Sequence, residues 1–189
     1  MRHEPHKIVR TAPPDLQPDT ARVRALHELQ LLDTPPEERF DRITRLACRL
    51  LDVPISLVAL VDAERQWFKS RVGIELAETS RAASFCTHTI QHAEGLVIED
   101  ARQDPRFAAN PFVLGEPRVR FYAGIPLAAP DGSRVGALCV IDSQVRQFDQ
   151  DQMATLRDLA AIAGDELRAR PAGRPAPEGW EKALVAHLP

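Results

Sequence analysis

The sequence has few cysteines, no excess of positive charge and no long hydrophobic run. Three cysteines in 189 residues, an odd number without paired spacing, predict free thiols in a reducing compartment. A formal net charge of −3 gives no basic surface, so we expect no nucleic-acid partner. The longest apolar run, 53–61, contains a serine. It is far shorter than the roughly 20 residues of a membrane span, so we expect no membrane partner either.

Composition divides the chain into one domain and two tails. Residues 1–18 contain four prolines and lack the apolar core of a signal peptide, which predicts a flexible arm and a cytoplasmic location. Residues 171–189 begin with a proline-rich stretch and are expected to form a tail. Residues 19–170 have the length of one ordinary domain, and the 44% of hydrophobic residues in the whole sequence suffice for a full core.

A hairpin is the most informative element in the sequence. The segments 121–127 and 136–141 are apolar throughout, and Pro-Asp-Gly at 130–132 provides a tight turn between them. A strand with one solvent-exposed face alternates polar and apolar residues. The two segments of the hairpin do not alternate in this way, so we predict a central hairpin that is covered on both faces. Gly124 and Gly136 indicate a bulge or a close approach to the backbone.

Two helices are predicted before the first strand. The first runs from residue 19 or 20 to residue 32. The second begins at a capping box formed by Thr34 and Glu37, with a proline at its first helical position. It ends before Pro54, because the residue that precedes a proline is disfavoured in the α region.

The last helix is expected to contribute to a dimer. Asp149 and Gln152 form a second capping box at its start. Its apolar seam, about two heptads long, consists of Met153, Leu156, Ala160, Ala163 and Leu167. Leu159 and Ile162 supply a second apolar edge, so one side could pack on the sheet while the other meets a second copy. A monomer with both terminal helices packed on one sheet face is the alternative, since two heptads make a marginal coiled coil.

Shorter strands and a short helix complete the pattern. Three further strands are predicted, at 55–62, 66–72 and 96–99. Lys69 and Arg71 are expected to project from one face, as in an outer strand. The segments 73–82 and 100–117 are expected to be loops, and Ser84 is expected to cap a short helix between them.

That short helix carries Cys86 and His88, the first candidates for chemistry. A helix start lowers the pKa of a thiol, so a thiolate could serve redox chemistry or covalent attachment. Residues two apart do not face each other on a helix, so structural, ligand-lining and nucleophilic roles all stay open. His88 and His92 are four apart, but no third ligand has a suitable spacing, so no metal is expected. Cys48 and Cys139 are expected to be packing residues.

A proline-containing loop holds a second group of candidates. Its polar residues are Asp100, Asp104, Arg106 and Asn110. They fit local capping and turn roles. The alternative is a polar wall for a ligand, in which Arg106 would donate to a carboxylate or phosphate. Phe107, Phe121 and Tyr122 would then form the apolar wall of the pocket.

The two arms of the hairpin, FYAGIPL and GALCVID, resemble the closing strands of a GAF domain. The resemblance is to the bacterial subgroup found in sensor kinases and diguanylate cyclases. Similar segments occur in the family's order: LLDTPPEERFDRIT (31–44), VALVDAERQWFKS (58–70), SFCTHTI (84–90) and EDARQDPRFAANPFV (99–113). The resemblance implies an α/β fold of the α+β type, with a mostly antiparallel sheet of five or six strands. Helices from both termini should cover one face, and the 73–118 segments the other.

GAF ligands usually lie between the sheet and the segments that correspond to 84–92 and 100–118. The resemblance therefore implies a pocket near Cys86, His88, Asp100, Phe107 and Tyr122. The Asn-Lys-Phe-Asp-Glu set of cyclic-nucleotide-binding members is not recognisable. Thr87 separates the cysteine from the histidine, whereas these are adjacent in bilin-binding members, so no chromophore is expected.

The expected function is a non-enzymatic sensory module. It would bind a small molecule or a partner protein and transmit a signal through its terminal helices. The resemblance also implies a homodimer and a kinase or cyclase as signalling partner. The alternative is an enzyme, because some stand-alone GAF proteins reduce free methionine sulfoxide with cysteine thiols.

Overall fold

The computed structural model describes residues 19–169, so the predicted arm at 1–18 and tail at 171–189 lie outside the described residues. The helices are α1 Asp19–Glu28, α2 Glu38–Leu51, α3 Cys86–Thr89, α4 Pro111–Leu114 and α5 Gln150–Arg168, with a 3-10 turn at Arg81–Ala83. The strands are β1 Ile55–Val61, β2 Arg65–Val72, β3 Glu78–Ser80, β4 Leu96–Ile98, β5 Phe121–Ala128 and β6 Arg134–Asp142. No helix in the described part is long and apolar enough to cross a membrane.

One six-stranded sheet organises the domain. Its strand order is β3-β2-β1-β6-β5-β4, and every neighbouring pair is antiparallel. The predicted hairpin is β5 and β6, and β6 lies at the centre of the sheet beside β1. The predicted α+β fold with a mostly antiparallel sheet is confirmed.

The sheet separates two apolar cores. On the helix face, which α2 and α5 cover, the core includes Phe40, Phe121 and Leu156. On the opposite face, here called the cavity face, it includes Cys86, Tyr122 and Cys139. Strand residues alternate between these faces. The predicted division, with terminal helices on one side and the 73–118 segments on the other, is what the structure shows.

The seam of α5 packs inside the chain rather than facing outward. Met153, Leu156, Ala160, Ala163 and Leu167 are all buried. Leu159 of the second apolar edge is also buried, whereas Ile162 is 49% exposed. The seam therefore stabilises the fold, and a contact with a second copy would have to use other residues.

The first helix is shorter than predicted. It ends at Glu28, because Gln30 takes a left-handed conformation with φ of 48° and turns the chain. Leu29 and Leu31 remain buried beyond this turn. The apolar pattern that continued to residue 32 thus reflected burial rather than helix.

The capping box predicted at Thr34 and Glu37 is wrong. Helix α2 begins at Glu38, and Glu37 makes no side-chain capping hydrogen bond. Thr34 Oγ1 instead donates to the Leu31 carbonyl, 2.6 Å away, and accepts from Lys69 Nζ at 2.7 Å. The Thr34 hydroxyl therefore makes a tertiary hydrogen bond with Lys69 instead of capping α2.

Lys69 and Arg71 do not share a face, contrary to the prediction. A β-bulge shifts the register of β1 and β2 between Val58 and Ala59, and Lys69 falls between the paired residues Phe68 and Ser70. The bulge breaks the two-residue period, so Lys69 is buried while Arg71 is exposed. β2 is also not an edge strand, because β3 pairs with it in the segment predicted as loop.

The other capping predictions are confirmed. Asp149 Oδ1 accepts from the Gln152 amide at 2.7 Å, and Gln152 Oε1 accepts from the Asp149 amide at 3.1 Å. Ser84 Oγ accepts from the Thr87 amide at 3.1 Å, at the start of α3. Residues 100–117 contain only the single helical turn of α4.

Gly136 is a site of close backbone approach, as the sequence predicted. A Cβ added there would lie 2.1 Å from the carbonyl oxygen of Ala59 on β1. We expect Gly136→Ala to lower the free energy of unfolding by about 2–3 kcal/mol, because the central strands must separate to accept it. Urea denaturation measures this change.

Gly132 at the hairpin turn provides the control for this substitution. It has φ of 86° and nothing within 4 Å of an added Cβ. Gly132→Asn should cost less than about 1 kcal/mol, since asparagine tolerates this conformation. Equal stability of Gly136→Ala and the wild type would contradict the packing argument.

Candidate functional site

A cavity of about 60 Å³ lies on the cavity face of the sheet, between strands β1, β2 and β6 and the segments 74–86 and 112–122. A site for one water needs roughly 10–15 Å³, so the cavity has room for about four to six water-sized groups. Apolar side chains form most of its wall, namely Ile55, Leu57, Phe68, Ile74, Leu76, Ala83, Phe85, Phe112, Pro117, Val119 and Ile141. No charged side chain of residues 19–169 lines it.

One end of the cavity is polar but neutral. Gln66 on β2 and Thr79 on β3 lie directly opposite each other in the strand pairing. Ser84 Oγ donates to Gln66 Oε1. Thr79 Oγ1 is buried and has no hydrogen-bond partner among the residues that the structure describes. A buried hydroxyl without a hydrogen-bond partner lowers the stability of the fold, so this end of the cavity favours a ligand that supplies a hydrogen bond.

Sulfur and phenol groups form another part of the wall. Cys86 Sγ lies 3.8 Å from Cys139 Sγ, although the two residues are 53 positions apart in the chain. Tyr122 Oη donates to Cys86 Sγ at 3.3 Å, and it lies 2.6 Å from Thr89 Oγ1. The hydroxyl of Thr89 can donate to Tyr122, which leaves the phenol proton for the sulfur.

Gly124 makes room for this arrangement. An added Cβ would lie 2.4 Å from Tyr122 Oη and 3.1 Å from Thr89 Oγ1. The tyrosine ring thus lies across the glycine two positions further along its own strand. The predicted close approach at Gly124 is therefore made by a side chain of the cavity wall.

Two ionisable groups of the wall, Tyr122 and Cys139, are held in their neutral forms. Burial, more than the nearby cysteines, raises the pKa of Tyr122 well above its usual value. The hydrogen bond with Cys86, together with burial, raises the pKa of Cys139. At neutral pH the phenol and the Cys139 thiol keep their protons, which matches the absence of charged residues in the wall.

His88 does not line the cavity. Its ring meets that of Phe107 edge-on, with 4.8 Å between centroids. Burial and the nearby charge of Arg106 lower the pKa of His88, so the imidazole is neutral at pH 7. Phe107 is itself buried and stacks on Phe85 at 4.2 Å, so it supports the cavity wall from behind.

Asp100 and Arg106 are engaged locally rather than at the cavity. Asp100 pairs with Arg102 at 2.8 Å, and this contact holds the pKa of the carboxyl below its usual value. Arg106 donates to Asp104 at 2.6 and 2.9 Å and lies over the Phe107 ring. The arginine therefore does not offer its donors to a ligand in this cavity.

Phe121 lies on the other side of the sheet from Tyr122. Successive side chains of a strand point to opposite faces, so the two cannot share one wall. Phe121 packs on the helix face, where its ring centroid is 5.3 Å from that of Phe148. Of the seven residues predicted for the site, Cys86 and Tyr122 line the cavity.

Four polar or thiol residues of the wall escaped the sequence-based prediction. Gln66 and Thr79 depend on the pairing of β2 with β3, a strand of only three residues that shows no periodicity. Ser84 was identified only as a helix cap. Cys139 was assigned to packing, although its pairing with Gly124 on β5 places it beside Tyr122.

The histidines and acidic residues of the described range do not converge on a metal. Within residues 19–169, no three His, Cys, Asp or Glu side chains form a group that could hold an ion. Burial and the charges of Arg106 and Arg134 lower the pKa of His92. The cavity is therefore the candidate functional site.

Comparison with known sequences identifies a matching domain family and a relative. The sequence pattern of the GAF domain family matches residues 35–167. A cyclic di-GMP phosphodiesterase of Pseudomonas aeruginosa is 40% identical over 134 residues. That match spans 71% of this chain and 23% of the relative, so the chain corresponds to under a quarter of the larger protein.

Solved structures share the fold at low sequence identity. The GAF domain of an Acinetobacter phosphoenolpyruvate-protein phosphotransferase superposes with a TM-score of 0.59 at 16% identity, over 80% of this chain and 94% of that one. A free methionine-R-sulfoxide reductase of Neisseria meningitidis gives 0.56 at 16%, over 80% and 91%. The blue-light absorbing form of the PixJ GAF domain of Thermosynechococcus elongatus gives 0.55 at 16%, over 77% and 88%.

The buried hydrogen bond between Tyr122 and Thr89 should contribute measurably to stability. We expect Tyr122→Phe and Thr89→Val each to lower the free energy of unfolding by about 1–2 kcal/mol, because each removes the shortest hydrogen bond of a buried partner. The double variant should cost less than the sum, since both partners are then apolar. Urea denaturation of the four proteins gives the coupling energy, and strict additivity would contradict this arrangement.

Proposed function

This chain belongs to the GAF domain family, and from that premise we propose that it is a sensory module for a small uncharged molecule. The ligand would occupy the cavity beside Tyr122, and its binding would be transmitted through α1 and α5. We assign the module to the cytoplasm, where its three free thiols stay reduced.

The observation that carries the proposal is the neutrality of the cavity wall. Its residues are apolar apart from amide, hydroxyl, thiol and phenol groups. A charged ligand would lose its hydration there without gaining an opposite charge. A mostly apolar molecule with one group that can bond to Thr79 Oγ1 fits both the volume and the chemistry.

The charge of the substrate favours a sensor over a methionine sulfoxide reductase. That substrate carries a carboxylate and an ammonium group, and the described residues that line the cavity offer no charged partner to either. The reductase structures are similar in fold at 16% identity or below, which supports no shared activity.

The output of the module is proposed from the curated relative. That protein is a cyclic di-GMP phosphodiesterase, and this chain matches a limited part of it. We propose that the module regulates the formation or breakdown of such a signalling nucleotide, or a kinase, in a partner protein or domain.

We further propose that the module forms a homodimer, through residues other than the α5 seam. Leu46 and Leu50 are four apart on α2 and are 38% and 60% exposed. Helix α5, which packs beside α2 and is joined to it by an ion pair between Arg39 and Glu166, exposes Ile162. A second copy would cover these apolar residues.

The ligand class can be tested with two small probes of similar size. Isobutanol is neutral, and isobutyrate carries a negative charge. Tyr122 is the only tyrosine of the chain, so tyrosine labelled with ¹³C at Cζ gives one aromatic NMR signal at the cavity. We expect isobutanol to shift this signal saturably and isobutyrate to leave it unchanged. A shift with isobutyrate alone would overturn the proposed ligand class.

A matched pair of threonine variants tests the polar end of the cavity. Thr79→Val removes the unpartnered hydroxyl and should weaken isobutanol binding about three- to tenfold, the effect of one hydrogen bond. Thr155→Val makes the same change on α5, away from the cavity, and should bind as the wild type does. Equal isobutanol affinities of the two variants would show that Thr79 does not take part in binding.

The dimer can be tested by light scattering coupled to size exclusion. We expect a dimer for the wild type and a monomer for Leu50→Glu combined with Ile162→Glu, because two charges would be buried in the contact. Leu114→Glu is the matched control, since Leu114 is 72% exposed on α4 on the other side of the sheet. A monomeric wild type, or equal masses for all variants, would rule out this contact.

A further inference from the structure

Two of the three cysteines face each other at the cavity wall. Cys86 lies on α3 and Cys139 on β6, and 3.8 Å separates their sulfur atoms. Both line the cavity, so a small molecule inside it would meet both thiols. Cys48 packs from α2 on the helix face and cannot reach either of them.

The two sulfur atoms are close enough to be joined by a modest movement. A disulfide bond is about 2.05 Å long, so the atoms must approach by roughly 1.8 Å. Cys139 belongs to the central strand of the sheet and is held on both sides by β1 and β5. Helix α3 is a single turn of four residues between loops, so it is the element that can move.

We propose that Cys86 and Cys139 form a redox pair, which a small hydroperoxide entering the cavity oxidises to an intramolecular disulfide. Reduction by a dithiol would restore the two thiols. This inference concerns the sulfur chemistry of the wall and goes beyond the reversible ligand binding proposed above.

The reaction balances in two steps. The Cys86 sulfur attacks the terminal oxygen of the hydroperoxide, the O–O bond breaks, and the thiol proton passes to the departing alkoxide. The products are Cys86 sulfenic acid and an alcohol. The Cys139 sulfur then attacks the sulfenic sulfur, the S–S bond forms, and the hydroxyl leaves with the Cys139 proton as water. Two electrons pass from the thiols to the peroxide.

The surroundings give the two cysteines different roles. Tyr122 donates its phenol proton to Cys86 Sγ at 3.3 Å, and a hydrogen bond of this kind stabilises negative charge on the attacking sulfur. The pKa of Cys139 is raised by its hydrogen bond with Cys86 and by burial, so this residue keeps its proton until the second step. Proximity then compensates for its weaker nucleophilicity.

The disulfide would change the wall on which the ligand acts. Tyr122 loses the thiol that accepts its proton, and α3 becomes covalently attached to the central strand. Thr89, at the end of the same helix, is the other partner of the phenol. Oxidation therefore changes both hydrogen bonds of Tyr122 through one short helix.

The test uses Cys48→Ser, which retains the pair and removes the remaining thiol. The folded protein is treated with tert-butyl hydroperoxide, quenched, unfolded and alkylated, and its intact mass is measured. We expect a product lighter by two hydrogens that takes up no alkylating agent and reverts with dithiothreitol. Peptide mapping should find Cys86 linked to Cys139 within one chain.

Single-thiol variants in the same background separate pairing from simple oxidation. Without Cys139 (Cys139→Ser, or Cys139→Ala), Cys86 should stop at a sulfenic acid that dimedone traps. Without Cys86 (Cys86→Ser), Cys139 should react at least about tenfold more slowly, because burial still holds it as the thiol. Circular dichroism confirms that each variant is folded. The isobutanol titration is made on reduced protein, so the two results are independent.

Three outcomes would overturn the redox pair. They are an absence of oxidation, the same rate of sulfinic acid formation at Cys86 with and without Cys139, and a disulfide that joins two chains on a non-reducing gel. Each would mean that the two thiols pack beside each other without acting together.

Discussion

The buried ammonium group of Lys69 is the constraint on which the arrangement of the helix face depends. Its side chain has no exposed surface, and Nζ contacts Thr34 Oγ1 at 2.7 Å, the Pro35 carbonyl at 2.8 Å and Glu37 at 2.6 Å. Removing one partner of a buried charge costs about 3–5 kcal/mol, so the segment before α2 is fixed to β2. The bulge that turns Lys69 inward also turns Ser70 toward α2, where it bonds Asp41 and Thr44.

This constraint explains which parts of the fold the sequence could predict. The β5–β6 hairpin and the start of α5 depend on residues a few positions apart, and both were predicted correctly. The bulge at Lys69 and the role of Thr34 depend on contacts 34 and 35 residues apart. A local pattern cannot distinguish a helix cap from a hydroxyl that is needed by a distant lysine.

The candidate site was predictable to a smaller extent for the same reason. Asp100 and Arg106 attracted attention as charged residues in a loop, yet each is satisfied by a neighbour two positions away. Because successive side chains of a strand lie on opposite faces of the sheet, the sequence alone was enough to place Phe121 and Tyr122 on different faces. Thr79 and Cys139 could not be identified without the strand register, because their importance lies in what the sheet places opposite them.

Strand β5 connects the cavity with the terminal helix over a very short distance. Tyr122 lies against Cys86 on the cavity face, and the adjacent Phe121 contacts Phe148 on the helix face. The backbone of Tyr122 is paired with both β4 and β6, and the surrounding core is closely packed, so the tyrosine cannot shift alone. Phe148 immediately precedes Asp149, the cap of α5. A displacement of Tyr122 would therefore also displace Phe121, so these two residues form one direct physical connection between the cavity and the start of α5.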